Sequence, residues 1–164
     1  MTSYSLSHLA DGALLRELAD SVSRDRTTTA CMLAQIAEVD ERRLFLPSGY
    51  SSMFMYCLHE LRMSEDVAYK RIRAARAARQ FPAIYPALAD GRLHLAAVVL
   101  LAPHLTPDTA SELLAAAEHR TKAEIELLLA QRFPQPDVPT LLQAIAPAAT
   151  IAQPAVQPVE APDA

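Results

Sequence analysis

Prolines are concentrated at one end of this 164-residue chain and glycines are scarce throughout, and that distribution limits its fold more than any other feature. There are only three glycines, and seven of the 12 prolines lie at or after Pro134. A fold built from many tight β-turns needs far more glycine. Each proline fixes φ and removes a backbone donor, so proline at the spacing found after residue 134 prevents helix or ladder formation. We therefore expect two parts: a helical domain over 1–133 and a Pro/Ala-rich, disordered linker or tail over 134–164. A short turn of helix is allowed at Pro139–Ile145. The tail carries no Lys or Arg and three acids, Asp137, Glu160 and Asp163. Without it the body has 15 basic and 16 acidic residues.

Apolar residues make up 51% of the chain, enough for a buried core. Within the body, apolar spacing and capping signals predict seven or eight helices and no strand, an all-α bundle. Leu14, Leu15, Leu18 and Val22 mark a first helix with Asp11 as a candidate cap. Met32, Leu33, Ile36 and Val39 mark its continuation or, after a break near Ser23, a second helix. Pro47, Ser48 and Gly49 form a loop. A short helix follows over 51–62, then a turn at 62–64, then a helix capped by Ser64 and running to about Gln80. Phe81–Pro82 ends it, and a short helix runs on to Ala89, stopped at Asp90–Gly91. The stretch from His94 to Ala102 is the most apolar helix. Thr106–Pro107 is a start signal, and Thr121 with Glu124 is a capping box for a last helix ending near Arg132.

Charge is concentrated in one place. The 18 residues from Arg62 to Arg79 contain six basic side chains, and from Tyr69 to Arg79 there is no acid. At about 100° per residue, Tyr69, Arg73, Arg76 and Gln80 fall within about 60° of one another. A phenol, two guanidiniums and an amide on one stripe are groups that meet phosphates and base edges in a major groove. A short helix, a tight turn and a basic helix also follow the order of a helix-turn-helix. This reading assigns DNA contacts to Tyr69, Lys70, Arg71, Arg73, Arg76, Arg79 and Gln80. The turn has no glycine, so Arg62 or Met63 must bend the chain. A second reading has the same arginines facing water or pairing with Glu38, Asp40 and Glu41 of a neighbouring helix. The alanines at 74, 75, 77 and 78 make the helix slim enough to approach either DNA or another helix.

Other functions find little support. Aromatics are 5% of the chain and tryptophan is absent, which argues against a platform for stacking single-stranded bases. Cys57 and His59 point about 160° apart on a helix and do not share a metal. His94 reads as a partly buried or surface histidine, and His104 and His119 as helix-end residues. There is no phosphate-binding glycine loop, nucleophile elbow or metal motif, and no catalytic residue is assigned. Cys31 and Cys57 read as the buried or idle thiols of a cytosolic protein. No basic, apolar leader opens the chain and its longest apolar run is too short to cross a bilayer, so the expected location is the cytoplasm, away from membranes.

The runs from Glu38 to Cys57 and from Met63 to Arg76, together with Asp90–His94 and Leu101–Thr106, resemble the N-terminal helical region of bacterial HNH endonuclease-family proteins of the myxobacterial type. That region is distantly similar to a helical domain preceding HNH nucleases in actinobacteria. The resemblance covers about residues 6–145. It implies a non-catalytic module beside a nuclease, serving DNA binding, positioning or oligomerisation. The divalent metal and the His, Asn and His residues of that nuclease lie in a domain that this sequence does not contain, so no cofactor is expected here. The expected partners are double-stranded DNA or, in the alternative reading of a protein-interaction module, a second copy of the chain.

Overall fold

The computed structural model describes residues 4–134, and these are all-helical. Seven α-helices follow in order: α1 (Asp11–Glu41), α2 (Met53–His59), α3 (Glu65–Gln80), α4 (Ile84–Ala89), α5 (Leu95–Leu101), α6 (Ala110–Ala117) and α7 (Lys122–Arg132). A 3₁₀ turn, Ala102–His104, extends α5. The tail, including the turn of helix expected at Pro139–Ile145, lies outside the described residues.

The break expected as an option near Ser23 does not occur. α1 runs unbroken for 31 residues. Neither Gly nor Pro lies between residues 13 and 41, and the Thr27 hydroxyl donates back to the Ser23 carbonyl at 3.1 Å, which satisfies a polar side chain inside the helix. Ala10, rather than Asp11, occupies the N-cap position, and Asp11 sits in the first turn. At the other end Arg43 takes a left-handed conformation, φ 52°, and the Leu44 N–H reaches the Val39 carbonyl at 3.1 Å. This is a Schellman-type stop with Arg where Gly is usual.

Two other predicted caps act as expected. The Ser64 hydroxyl accepts from the Val67 N–H, and Thr121 with Glu124 forms a complete capping box. Arg62 supplies the bend between α2 and α3, with φ 54°. Thr106 accepts from the Thr109 N–H at 3.2 Å but starts only a turn, and α6 begins at Ala110.

The core explains why α3 is rich in alanine. α3 packs against α1, α2, α4 and α5, so it occupies the middle of the bundle. Its buried residues are Ala68, Ile72, Ala74, Ala75, Ala77 and Ala78. At 100° per residue they occupy about 220° of its circumference. Methyl side chains over so wide an arc let several helices approach one axis at once. On α1 the buried residues are Ala30, Leu33, Ile36 and Ala37, all in the C-terminal half. Leu33, Ile84, Val98, Leu101, Leu113 and Ile125 fill the space between.

Replacing fully buried Ala75 by Leu is expected to overpack this junction and lower the unfolding free energy by about 1–3 kcal/mol, measured by urea denaturation. The same change on an outward, groove-reading face would leave stability nearly unaltered.

Candidate nucleic-acid interface

The buried arc of α3 leaves a narrow outward face, and the stripe Tyr69, Arg73, Arg76 and Gln80 lies on it. Tyr69 is 52% exposed, Arg76 and Gln80 are exposed, and Arg73 is half-buried. The stripe exists, but its cations are already engaged. Arg76 Nε donates to Asp40 Oδ2 at 2.7 Å, with a second bond to Oδ1 at 3.2 Å. Arg79 binds Glu38 at 2.8 Å and lies 3.5 Å from Glu41. Lys70 is paired within its own helix to Asp66 at 2.7 Å. Arg73 donates to the Tyr69 hydroxyl at 2.5 Å and lies over its ring, 5.8 Å from the centroid.

The partners Glu38, Asp40 and Glu41 are the last turn of α1, which packs alongside α3. Glu38 also accepts from Arg42 at 2.6 Å. The hydrogen bond from Arg79, then that from Arg42, hold the Glu38 carboxyl below the ordinary carboxylate range. On Arg76 and Arg79 the carboxylates act in the opposite sense, raising the guanidinium pKa. Five of the seven residues assigned to DNA contact, Tyr69, Lys70, Arg73, Arg76 and Arg79, therefore spend polar atoms within the chain as ion pairs or a phenol bond.

Arg71 alone turns away from this face. It is half-buried, its Nη1 lies 3.9 Å from the Met63 sulfur, and its Nε is buried with no hydrogen-bond partner among the described residues. It lines a cavity with Arg26, Arg92, Arg120, His94 and His119. None of those five was singled out as a binding residue from the sequence. They come from α1 and from two turns more than twenty residues apart, and no local motif joins them.

The thiols and histidines offer no alternative centre. Cys57 is fully buried, and desolvation pushes its thiol pKa up, which suppresses the thiolate. Cys31 is exposed. His94 caps α5 by accepting the Ala97 N–H, and His104 stacks on Phe133 with ring centroids 4.6 Å apart. Among the described residues no group of three or more His, Cys, Asp or Glu side chains is placed to hold a metal ion, and no helix is long and apolar enough to cross a membrane.

Comparison with known proteins finds no family model, curated protein or solved structure that matches this chain.

The ion pairs at the α1–α3 edge give two expected outcomes. A double-mutant cycle on Arg76 and Asp40 should return a coupling of about 0.5–1 kcal/mol, since the Asp40 side chain is only 18% exposed while Arg76 is largely open to solvent. The Glu38 contribution has a defined pH sense. A carboxyl held low in the folded state stabilises above its ordinary value of 4.5, and that stabilisation is lost as pH falls through the lowered folded value. The stability gap between wild type and Glu38→Gln should therefore be open at neutral pH and close below pH 4.5.

Proposed function

We propose that the chain is a helical interaction module that pairs with a second copy of itself through the N-terminal half of α1. The carrying observation is an uncovered apolar stripe. No residue of α1 before Ala30 is buried. Leu14, Leu15, Leu18 and Val22 are 38%, 68%, 59% and 41% exposed. These four span about 100° of the helix, on the same side as Leu33 and Ile36, which face the core further along. The helix thus keeps one apolar face over its whole length, and only the C-terminal half finds a cover among the described residues. Leaving several large side chains in water forgoes about 1.5–3 kcal/mol for each that a partner would bury.

Charge next to the stripe selects the partner. Glu17 and Arg24 are seven residues apart and lie about 20° from each other around the axis, along one edge of the stripe. An antiparallel copy about an axis near residues 20–21 sets Leu18 against Val22, and Glu17 of each chain against Arg24 of the other. A parallel, in-register pair instead opposes Asp25, which falls on the stripe, to its own copy. Oligomerisation is also among the roles implied by the resemblance to regions beside HNH nucleases.

A duplex-reading role for α3 is less well supported. To bind backbone phosphates, Arg76 and Arg79 have to give up Asp40, Glu38 and Glu41, whose negative charges then face the duplex. The remaining gain from counterion release is small.

Sedimentation of the full chain is expected to show a dimer. Leu15→Lys with Leu18→Lys should weaken it by more than about 100-fold without lowering the melting temperature of the body. Glu17→Lys should also weaken it, and adding Arg24→Glu should restore it. A monomer at all concentrations, combined with salt-sensitive duplex binding lost on Arg73→Glu with Arg76→Glu, would replace this reading by the DNA one.

A further inference from the structure

Four arginines and two histidines line one open cavity of about 550 Å³, and among the described residues Asp25 is the only carboxylate residue with them. Its walls come from α1, from α3 and from the α4–α5 and α6–α7 turns. The two turns are clasped together. The His119 N–H donates to the Arg92 carbonyl at 2.8 Å. His94 Nδ1 accepts from the Ala97 N–H, which leaves its Nε2–H to donate to the Arg120 carbonyl at 3.2 Å. This fixes where Arg120 leaves the backbone.

Arg26 is seated just as definitely. Gly91 has φ 75°, and a Cβ built there would lie 2.5 Å from Arg26 Nη1 and 2.7 Å from its Cζ. The guanidinium therefore rests on a glycine whose missing side chain makes its room. Arg92 is neutralised by Glu118 and by Asp90 at 3.3 Å. Arg26, Arg71 and Arg120 have no carboxylate within ion-pair distance among the described residues, whereas Arg76, Arg79 and Arg92 all do. Like charges gathered without counterions repel one another, and burying the Arg71 Nε without an acceptor adds a desolvation cost. An anion with several acceptor oxygens removes both penalties.

We propose that this cavity binds a phosphoryl group, with Arg26, Arg71 and Arg120 as its ligands. Arginine matches a phosphate with paired N–H donors, and a dianion balances three cations better than a carboxylate does. The volume exceeds that of a phosphate ion and falls in the range of small-molecule sites, which leaves room for the organic part of a phosphomonoester. None of the stripe leucines or Val22 lines this cavity; Asp25 is the one stripe position that does.

The test uses the full chain, ¹⁵N-labelled, titrated with inorganic phosphate and separately with AMP, against sodium chloride at matched ionic strength. Shifts confined to residues around 26, 71, 91–94 and 119–121, absent with chloride, are expected. AMP binding more tightly than phosphate assigns a phosphomonoester, and equal affinities assign the free ion. Arg120→Gln and Arg26→Gln, both at exposed positions, should each weaken binding by at least about tenfold with unchanged melting temperature. Shifts matched by chloride, or variants that stay folded and bind as wild type, would overturn the proposal.

Discussion

The packing of α3 onto the C-terminal half of α1 is the contact on which the rest of the bundle depends. It has two layers. Inside, small side chains on both helices, Ala30 and Ala37 on α1 and Ala68, Ala74, Ala75 and Ala78 on α3, are buried. Along the solvent edge, Glu38, Asp40 and Glu41 meet Arg76 and Arg79. At this edge three acids of α1 face two arginines of α3. Opposite signs make the edge mildly favourable, and they favour one alignment of the helices over its neighbours. The stabilisation comes from the buried methyl groups, and the ion pairs set alignment.

This arrangement shows what was legible in the sequence and what was not. The caps at Ser64 and Thr121 and the stop at Gly91 act within three or four residues, so the sequence shows them directly. The all-α class follows from the same local signals. The outward arc of α3 was also readable as a 60° stripe, but its meaning depended on partners 36 and 41 residues away. Spacing within α3 could not tell whether Arg76 meets a phosphate or Asp40, because both offer two oxygens to the same guanidinium. Of the two readings open at that stage, the geometry shows the pairing with Glu38, Asp40 and Glu41.

The basic cavity was invisible for a related reason. Arg26, Arg71, Arg92 and Arg120 are spread over nearly a hundred residues, and only Arg71 belongs to the basic run. What brings them together is the clasp between two turns, and its key atoms are a backbone N–H, two carbonyls and one imidazole. Two of the turn residues, Gly91 and His119, have positive φ. Glycine announces that conformation, and histidine does not. A histidine read as a helix-end charge thus takes a left-handed backbone conformation in a turn that lines the cavity.

The unequal halves of α1 connect these features. A helix that served only as a wall of the bundle would need the turns from Ala30 to Glu41 and little more, because no α1 residue before them is buried. The preceding turns nevertheless keep leucine and valine on the face that continues the buried one. Helix propensity alone does not require this, since polar helix formers would hold the same conformation at lower cost in exposed apolar surface. The apolar face therefore points to a cover outside the body, and the alternation of Glu17 and Arg24 on its edge to a cover of complementary charge. Asp25, Arg26 and Thr29 sit where α1 leaves the body, and all three line the basic cavity. An anion held there would tie Arg26 to α3 and to the α6–α7 turn, and so fix the angle at which the free half of α1 is presented.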